Sequence, residues 1–276
     1  FMNRKGFSSL TRCYQCGYSM KCPRCNVNLT SMNSTKSLVC QHCKHTQPQL
    51  KICPQCSGTM RSMGWGIERL HSELARLYPD SKIYSFDKEK NLEPSTNFEH
   101  VLGKSIIVAT QAIFHKIINA DIDLVAMVNF DAHMHHVDFK AAEKVFGLLV
   151  YLRQLAKKKM IVQTKMMENY CLKFIKEYSL ENFYKEELSL RKELGFPPFR
   201  HLISLGVRGP KEEDVFSQCA QLHALLLKDK PEEIDVNDPA PDISPKLRDK
   251  FRFIIMIKGS CVENVLEFIQ KKIMSF

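Results

Sequence analysis

The chain has 276 residues and a mass of 31.9 kDa, room for one large domain or two to three small ones. A hydrophobic fraction of 44% with 25% charged residues excludes wholesale disorder, and no apolar run approaches the roughly eighteen residues of a membrane span. Forty basic against thirty acidic side chains leave a formal charge of +10, which favours a polyanionic partner.

Phe1-Met2-Asn3-Arg4-Lys5 has neither an apolar signal core nor a methionine at the first position. A cytoplasmic chain that is a piece of something longer is expected. Four C-x-x-C pairs follow: Cys13/Cys16, Cys22/Cys25, Cys40/Cys43 and Cys53/Cys56. Such a turn aims two sulfurs at one point, and two turns complete a tetrahedral four-sulfur site. Disulfides would need an oxidising compartment, and a redox C-x-x-C would need a thioredoxin-like βαβ setting that this stretch lacks. Structural zinc is the reading the spacing favours.

Spacing permits three pairings. Neighbouring pairs could share a metal, although only five residues separate Cys16 from Cys22, and a crossed scheme would join first to third and second to fourth. A nested scheme joins Cys22, Cys25, Cys40 and Cys43 across a fourteen-residue hairpin, with Cys13, Cys16, Cys53 and Cys56 outside it. The inner spacing lies close to that of zinc ribbons, so nesting is expected, with two Zn²⁺ per chain. Apolar residues are few here beyond Leu29, Val39, Leu50 and Ile52, and metal would supply most of the folding energy. Eight thiolates with two dications would lower the net charge by about four, to about +6, so charge alone is only supporting. Cys171, Cys219 and Cys261, scattered singly, read as buried small hydrophobes.

After Gly64-Trp65-Gly66, apolar residues at Ile67, Leu70, Leu74 and Leu77 predict a helix to Tyr78, stopped by Pro79-Asp80. Residues 82–87 alternate like a short strand, and a polar stretch spans 88–97. Continuous apolar runs at 106–109 and 124–128 predict strands buried on both faces of a parallel sheet. A helix from Ala141 to Ala156 and a strand at 160–164 complete an α/β alternation, so a doubly wound layer is expected. A Lys/Glu-rich helical stretch runs from Glu168 to Leu194, ended by Gly195 and Pro197-Pro198. Then come a strand at 201–207, a helix at 211–227, a proline-bearing polar loop at 229–245, a strand at 251–258 and a helix at 262–273. That is a small α+β sandwich, separate from the first domain.

In this order the segments resemble the C-terminal half of the PriA family of replication-restart helicases, also called primosomal protein N′. Phe1–Phe7 is similar to the family's F-L-N-R-R-G-Y lead into its eight-cysteine element, Ala109-Thr110-Gln111 to its G-T-Q, and 138–144 to its D-F-R-x-x-E-R. Residues 194–199 resemble its L-P-P-[FWY] stretch, and Pro239-Ala240-Pro241 through Arg252-Phe253 its P-x-P…R-x-R-[WF] tail. The resemblance implies a mixed α/β fold: a second RecA-like helicase lobe (1–12), a zinc-binding insertion (13–60), the remainder of the lobe (61–167) and a C-terminal α+β domain (168–276). It implies ATP-dependent 3′–5′ DNA unwinding in replication restart, with single-stranded-DNA-binding protein and primosome proteins as partners, forked or single-stranded DNA as substrate, and no membrane association. All eight zinc ligands carry over, and Thr110 and Gln111 stand as a nucleotide or DNA motif remnant.

The departures concern ATP. No G-x-x-x-x-G-K-[ST] loop is present: Gly103-Lys104-Ser105 imitates its end, but Phe98 occupies the first glycine's place. Asp131-Ala132-His133 only echoes the magnesium motif, and His115-Lys116 replaces the family's Lys-Gly. Where a G-R-x-G-R run should follow Val150, the chain reads Tyr151-Leu152-Arg153-Gln154-Leu155-Ala156-Lys157-Lys158-Lys159. Phosphoryl transfer depends on such positioned cations, so no catalytic residue is assigned, and ATP with Mg²⁺ belongs only to the intact family enzyme.

Asp131, His133, His135 and His136 offer metal-ligand chemistry, but a polar loop at a strand end accounts for them. Arg153–Lys159 reads either as a DNA-facing run or as a solvated helix end. Lys246, Arg248, Lys250 and Arg252, beside Phe251 and Phe253, form a candidate DNA or partner surface, with Arg248, Lys250 and Arg252 on one face of a strand. The alternative to a helicase half is a non-enzymatic zinc module binding DNA or a replication protein. A glycine-rich chaperone-type cysteine repeat is excluded by the residues after each pair.

Overall fold

The computed structural model describes residues 10–32, 37–40, 42–63, 67–86, 105–110, 113, 122–134 and 138–274. The chain forms two compact units that part at 179/180, with the short loops 21–27 and 42–45 belonging to the second. Residues 1–9, 64–66, 88–97, Phe98, Gly103-Lys104, Gln111, His115-Lys116, His135 and His136, singled out above, lie outside the described residues.

In the first unit β1 (Leu10–Cys13) pairs antiparallel with β5 (Met60–Met63), closing the cysteine segment at its base. Inside lies a three-stranded antiparallel sheet of β2 (Thr30–Met32), β3 (Ser37–Val39) and β4 (Thr46–Pro48). The amphipathic α1 (Ile67–Leu77) packs against β6 (Lys82–Phe86), which runs parallel to β7 (Ser105–Ala109). A second parallel pair, β8 (Ile122–Met127) and β9 (Ala156–Val162), is joined through the short α2 (Asp131–Met134) and α3 (Ala141–Leu155). Parallel neighbours need such a crossover. α3 buries Val145, Leu148, Leu149, Leu152 and Leu155, a stripe at helical spacing.

Two expectations change here. The helix stops at Leu155 and Ala156 turns extended, so Lys157-Lys158-Lys159 lie exposed on β9 rather than on a helix end. Pairing of Ala156 with Ile122 and of Lys159 with Leu124 outweighs the helix propensity of the lysine run. The apolar runs are also less buried than expected, Leu124 being 53% exposed.

The helical stretch expected over 168–194 is two helices, α4 (Tyr170–Glu177) and α5 (Leu180–Glu193). Asn169 caps α4 by accepting the Cys171 N–H at 2.9 Å, and Tyr178, at φ 51°, turns the chain left-handed. The Ser179 amide then donates back to the Phe174 carbonyl at 3.0 Å. That break is where the two units part.

In the second unit β13 (Lys250–Gly259) is the central strand, pairing along its length with β10 (His201–Gly209). Its other edge takes β11 (Ile234–Val236) and then β12 (Ala240–Leu247), in the stretch expected as a loop. The long free edge of β13 recruits them, while Pro241 and Pro245 sit on the outer strand at and beside a bulge, where prolines cost no central ladder bond. α6 (Glu212–Leu227) and α7 (Val262–Ile273) cover the sheet, and Val215, Cys219, Leu222, Leu226, Ile255, Ile257 and Val265 join one core. Cys171 and Cys219 are fully buried, but Cys261 is half-buried and its thiol donates to Glu263 at 3.0 Å. Among the described residues no helix is long and apolar enough to cross a membrane.

Gly259 pairs with His201 on one side and Ile234 on the other, and a Cβ there would lie 2.2 Å from Val265 Cγ2. Gly259→Ala should therefore lower the unfolding free energy by about 1–3 kcal/mol through overpacking. Gly206→Ala, whose Cβ meets nothing within 4 Å, should be near neutral. Urea titrations of both variants beside the parent check this; equal midpoints for all three would contradict it.

Candidate metal centres

Three cysteine turns close by the same bonds. The Cys13, Cys22 and Cys53 amides donate to Tyr18, Val27 and Gly58 carbonyls at 2.7, 2.8 and 2.7 Å. Gly17, Asn26 and Ser57 amides return to the Cys13, Cys22 and Cys53 carbonyls at 3.2, 2.8 and 3.0 Å. The residue after each second cysteine is left-handed in all four turns: Gly17 at φ 77°, Asn26 at 53°, Lys44 at 63° and Ser57 at 57°. Only one is a glycine. The other three carry a strain of about 1 kcal/mol or more each, which persists only where the surroundings impose it.

The turns bring together Cys13, Cys16, Cys53 and Cys56 in an outer quartet, and Cys22, Cys25, Cys40 and Cys43 in an inner one. Within each quartet all sulfurs lie within 4.8 Å of one another. Cys13 and Cys56 Sγ are 3.4 Å apart, Cys16 and Cys53 3.6 Å, and Cys22 and Cys43 3.6 Å. A tetrahedral site with Zn–S of about 2.3 Å has edges of about 3.8 Å, whereas a disulfide requires about 2.05 Å. The quartets can hold metal ions and are compatible with zinc. Among the described residues they are the only clusters of three or more such ligand atoms.

The two sites differ in access. Cys16 and Cys56 of the outer quartet are exposed, whereas Cys22, Cys25 and Cys40 are buried and Cys43 half-buried. Protons divide unevenly over the outer sulfurs. The Cys16 and Gln15 amides favour a Cys13 thiolate against its burial, with help from Cys56 and Cys16, and draw its pKa down to about 6. At Cys56 the Gly58 amide also favours the thiolate. The crowding sulfurs of Cys16, Cys13 and Cys53, with burial, outweigh it and push the thiol up to about 12.

Within the second unit the inner turn, residues 21–27, has a partner in the C-terminal sheet. Arg248 and Asp249, at φ 50° and 66°, form the two-residue turn between β12 and β13, in a geometry that ordinarily selects Asn-Gly. Here the inner knuckle holds it. The Arg248 amide donates to Cys25 Sγ at 3.4 Å and the Asp249 amide to the Arg24 carbonyl at 2.9 Å. Arg24 also pairs with the Asp249 carboxylate at 2.7 Å, and Lys246 Nζ donates to the Pro23 carbonyl at 2.9 Å.

The four cations of the candidate DNA or partner surface therefore occupy different settings. Lys246 is engaged with Pro23, Arg248 lies in the turn instead of on the strand, and Arg252 pairs with Asp242 at 2.6 Å. Lys250 is exposed at the start of β13. Thr110 follows β7 at its C-terminal end, its amide donating to Phe86 at 3.3 Å. Asp131 starts α2 and accepts from Thr164 Oγ1 and, at 3.0 Å, from the Lys165 amide, while His133 is buried.

One feature escapes a whole-chain charge total. Residues 1–67 contain no Asp or Glu but nine basic residues: Arg4, Lys5, Arg12, Lys21, Arg24, Lys36, Lys44, Lys51 and Arg61. The remaining stretch, with 31 basic and 30 acidic residues, is almost balanced. A charge count taken segment by segment finds this from sequence alone.

Residues 192–272 match the family model described as the primosomal protein N C-terminal domain. Across 98% of its length the chain is 31% identical to replication restart protein PriA of Thermotoga maritima, covering 37% of that protein. It is 27% identical to the proteins of the same name from Bacillus subtilis and Rickettsia conorii, covering 35% and 43% of them. The chain thus spans well under half the length of these relatives, consistent with a C-terminal portion.

Two metal equivalents per chain are expected, the outer one leaving first because two of its sulfurs face solvent. Chelator competition on anaerobically prepared protein, followed by metal release, checks both; one equivalent, or an inner site that empties first, would contradict it. Acidification should act the same way. Metal capture displaces protons, above all from Cys56, so affinity of the outer site should fall as pH falls. Cys22→Ser should lower metal content and protease resistance together; a variant matching the parent in both would remove Cys22 from the inner site.

Proposed function

Because its homologues are the replication restart proteins PriA, we propose that this chain is the C-terminal portion of a PriA-like ATP-dependent 3′–5′ DNA helicase that acts in replication restart and primosome assembly at stalled forks. The observation that carries this reading is similarity over 98% of the chain, with the family-model match over residues 192–272. In this reading residues 1–12 and 61–167 are parts of a second RecA-like lobe, 13–60 a zinc-binding insertion and 168–276 the C-terminal domain. The two parallel strand pairs with a helical crossover support the lobe, and the two sulfur quartets support two Zn²⁺ ions. The work would be cytoplasmic, on forked or single-stranded DNA, with single-stranded-DNA-binding protein and primosome proteins as partners. Lys246, Arg248, Lys250 and Arg252 remain a proposed contact surface, as do Thr110 and Gln111 a motif remnant.

Zinc bound by four thiolates has no open position, so its role here is to hold backbone rather than to activate water. ATP binding and hydrolysis require a phosphate loop, magnesium ligands and positioned arginines. None of these motifs is complete in the sequence, so ATP turnover belongs to the intact enzyme.

The chain should bind DNA with steep salt dependence, through counterion release, and should not hydrolyse ATP. A DNA titration at low and moderate salt, beside a coupled ATPase assay on the same preparation, tests both. Forked DNA bound more tightly than plain duplex would favour the helicase reading over a generic zinc module. DNA-stimulated turnover that copurifies with the chain, or binding indifferent to salt, would contradict it.

A further inference from the structure

The pairing of β1 with β5 sets Arg12 directly opposite Arg61. Like charges facing each other across a ladder are destabilising by themselves, and a metal-loaded outer quartet, four thiolates with one dication, would offset them in part with about two negative charges. Arg12 Nε donates to the Gly17 carbonyl at 2.9 Å, and the Arg61 guanidinium lies 4.9 Å from the Tyr14 ring centroid. Neither has a carboxylate partner among the described residues, and the first acidic residue in the chain is Glu68.

Beside these cations the outer knuckle displays apolar surface. Tyr14, between the two cysteines of the first pair, is 75% exposed, and Ile52, just before the last pair, is 66% exposed. Both are tied to one residue: the Tyr14 amide donates to the Thr59 carbonyl at 3.2 Å, and Ile52 forms a β-bridge with Thr59. An aromatic ring that is largely open on a backbone held by the sulfur quartet, with two guanidiniums next to it that no carboxylate among the described residues engages, fits a ligand offering flat rings and negative charge together. Single-stranded nucleic acid offers both. A duplex keeps its bases stacked and offers only phosphates.

We propose that the outer cysteine knuckle is a stacking platform for an unpaired base of single-stranded DNA, with Tyr14 receiving the base and Arg12 and Arg61 the adjoining phosphates. This rests on the DNA-binding reading above and adds a site to it. The metal's part is indirect: it holds the turn that presents Tyr14.

The test is fluorescence anisotropy on the full chain loaded with zinc, using a fluorescein-labelled twelve-nucleotide oligo-dT and a blunt duplex of the same length. Tyr14→Ala should weaken oligo-dT binding by roughly tenfold and change duplex binding by less than about twofold, while Tyr14→Trp should retain the parent affinity. Arg12→Ala and Arg61→Ala should each flatten the slope of log affinity against log salt for oligo-dT by about 0.7. Zinc content, measured in every variant, separates loss of the platform from loss of the fold. If the parent binds oligo-dT and Tyr14→Ala binds it equally well, the site is wrong while the DNA reading stands. A parent that binds no DNA at low salt overturns both. Polyglutamate displacing the oligonucleotide as well as unlabelled oligo-dT would also overturn the site, since it carries charge without rings.

Discussion

Two sets of four sulfurs, each gathered within 4.8 Å, impose the constraint on which the N-terminal part of the molecule is built. Few of its side chains form a core; Met20, Leu29, Leu38 and Met60 are the main buried apolar residues besides the cysteines. Four thiols held this closely cannot all ionise without a cation, as the opposed shifts at Cys13 and Cys56 illustrate. A metal ion would resolve that conflict and turn a crowded cluster into a crosslink. The left-handed residues after each second cysteine, three of them not glycine, are then a local cost of aiming sulfurs at a common point.

The same constraint reaches the C-terminal sheet. The turn between β12 and β13 uses Arg248 and Asp249 in a conformation that neither prefers, and the residues that hold it there are Pro23, Arg24 and Cys25. An amide donated to a ligating sulfur stabilises its thiolate, and it also fixes the donor. These contacts join the inner knuckle to the hairpin tip, and residues 21–27 accordingly belong to the second compact unit although they are far from it in sequence.

Charge is distributed with similar economy. Nearly all of the positive surplus lies in residues 1–67, which have no acidic residue to neutralise it, while the remaining two-thirds or more of the chain is close to neutral. The C-terminal cations, by contrast, are largely committed to carbonyls and carboxylates: Arg200 to Asp235, Arg252 to Asp242 and Lys258 to the Leu194 carbonyl. Metal-bound thiolates would take back about four of the N-terminal charges and leave residues 1–67 at about +5, still the larger share of the surplus.

The sequence by itself determined the four C-x-x-C turns and, through the ribbon-like inner interval, favoured nesting among the three pairings that the spacing permits; the folded chain selected it. It also determined α1, the helix beginning at Ala141, and α7, whose apolar periodicity is local information. Tertiary structure decided where pairing competes with propensity. Lys157–Lys159 became strand because β8 offered an edge, and the proline-bearing 229–245 stretch yielded β11 and β12 because β13 had an unpaired side. Tyr178 broke an apparently continuous helix by turning left-handed, and the role of Arg248 depends on a cysteine more than two hundred residues away. Hydrogen-bond partners distant in sequence leave no local pattern, so only the folded chain could reveal them.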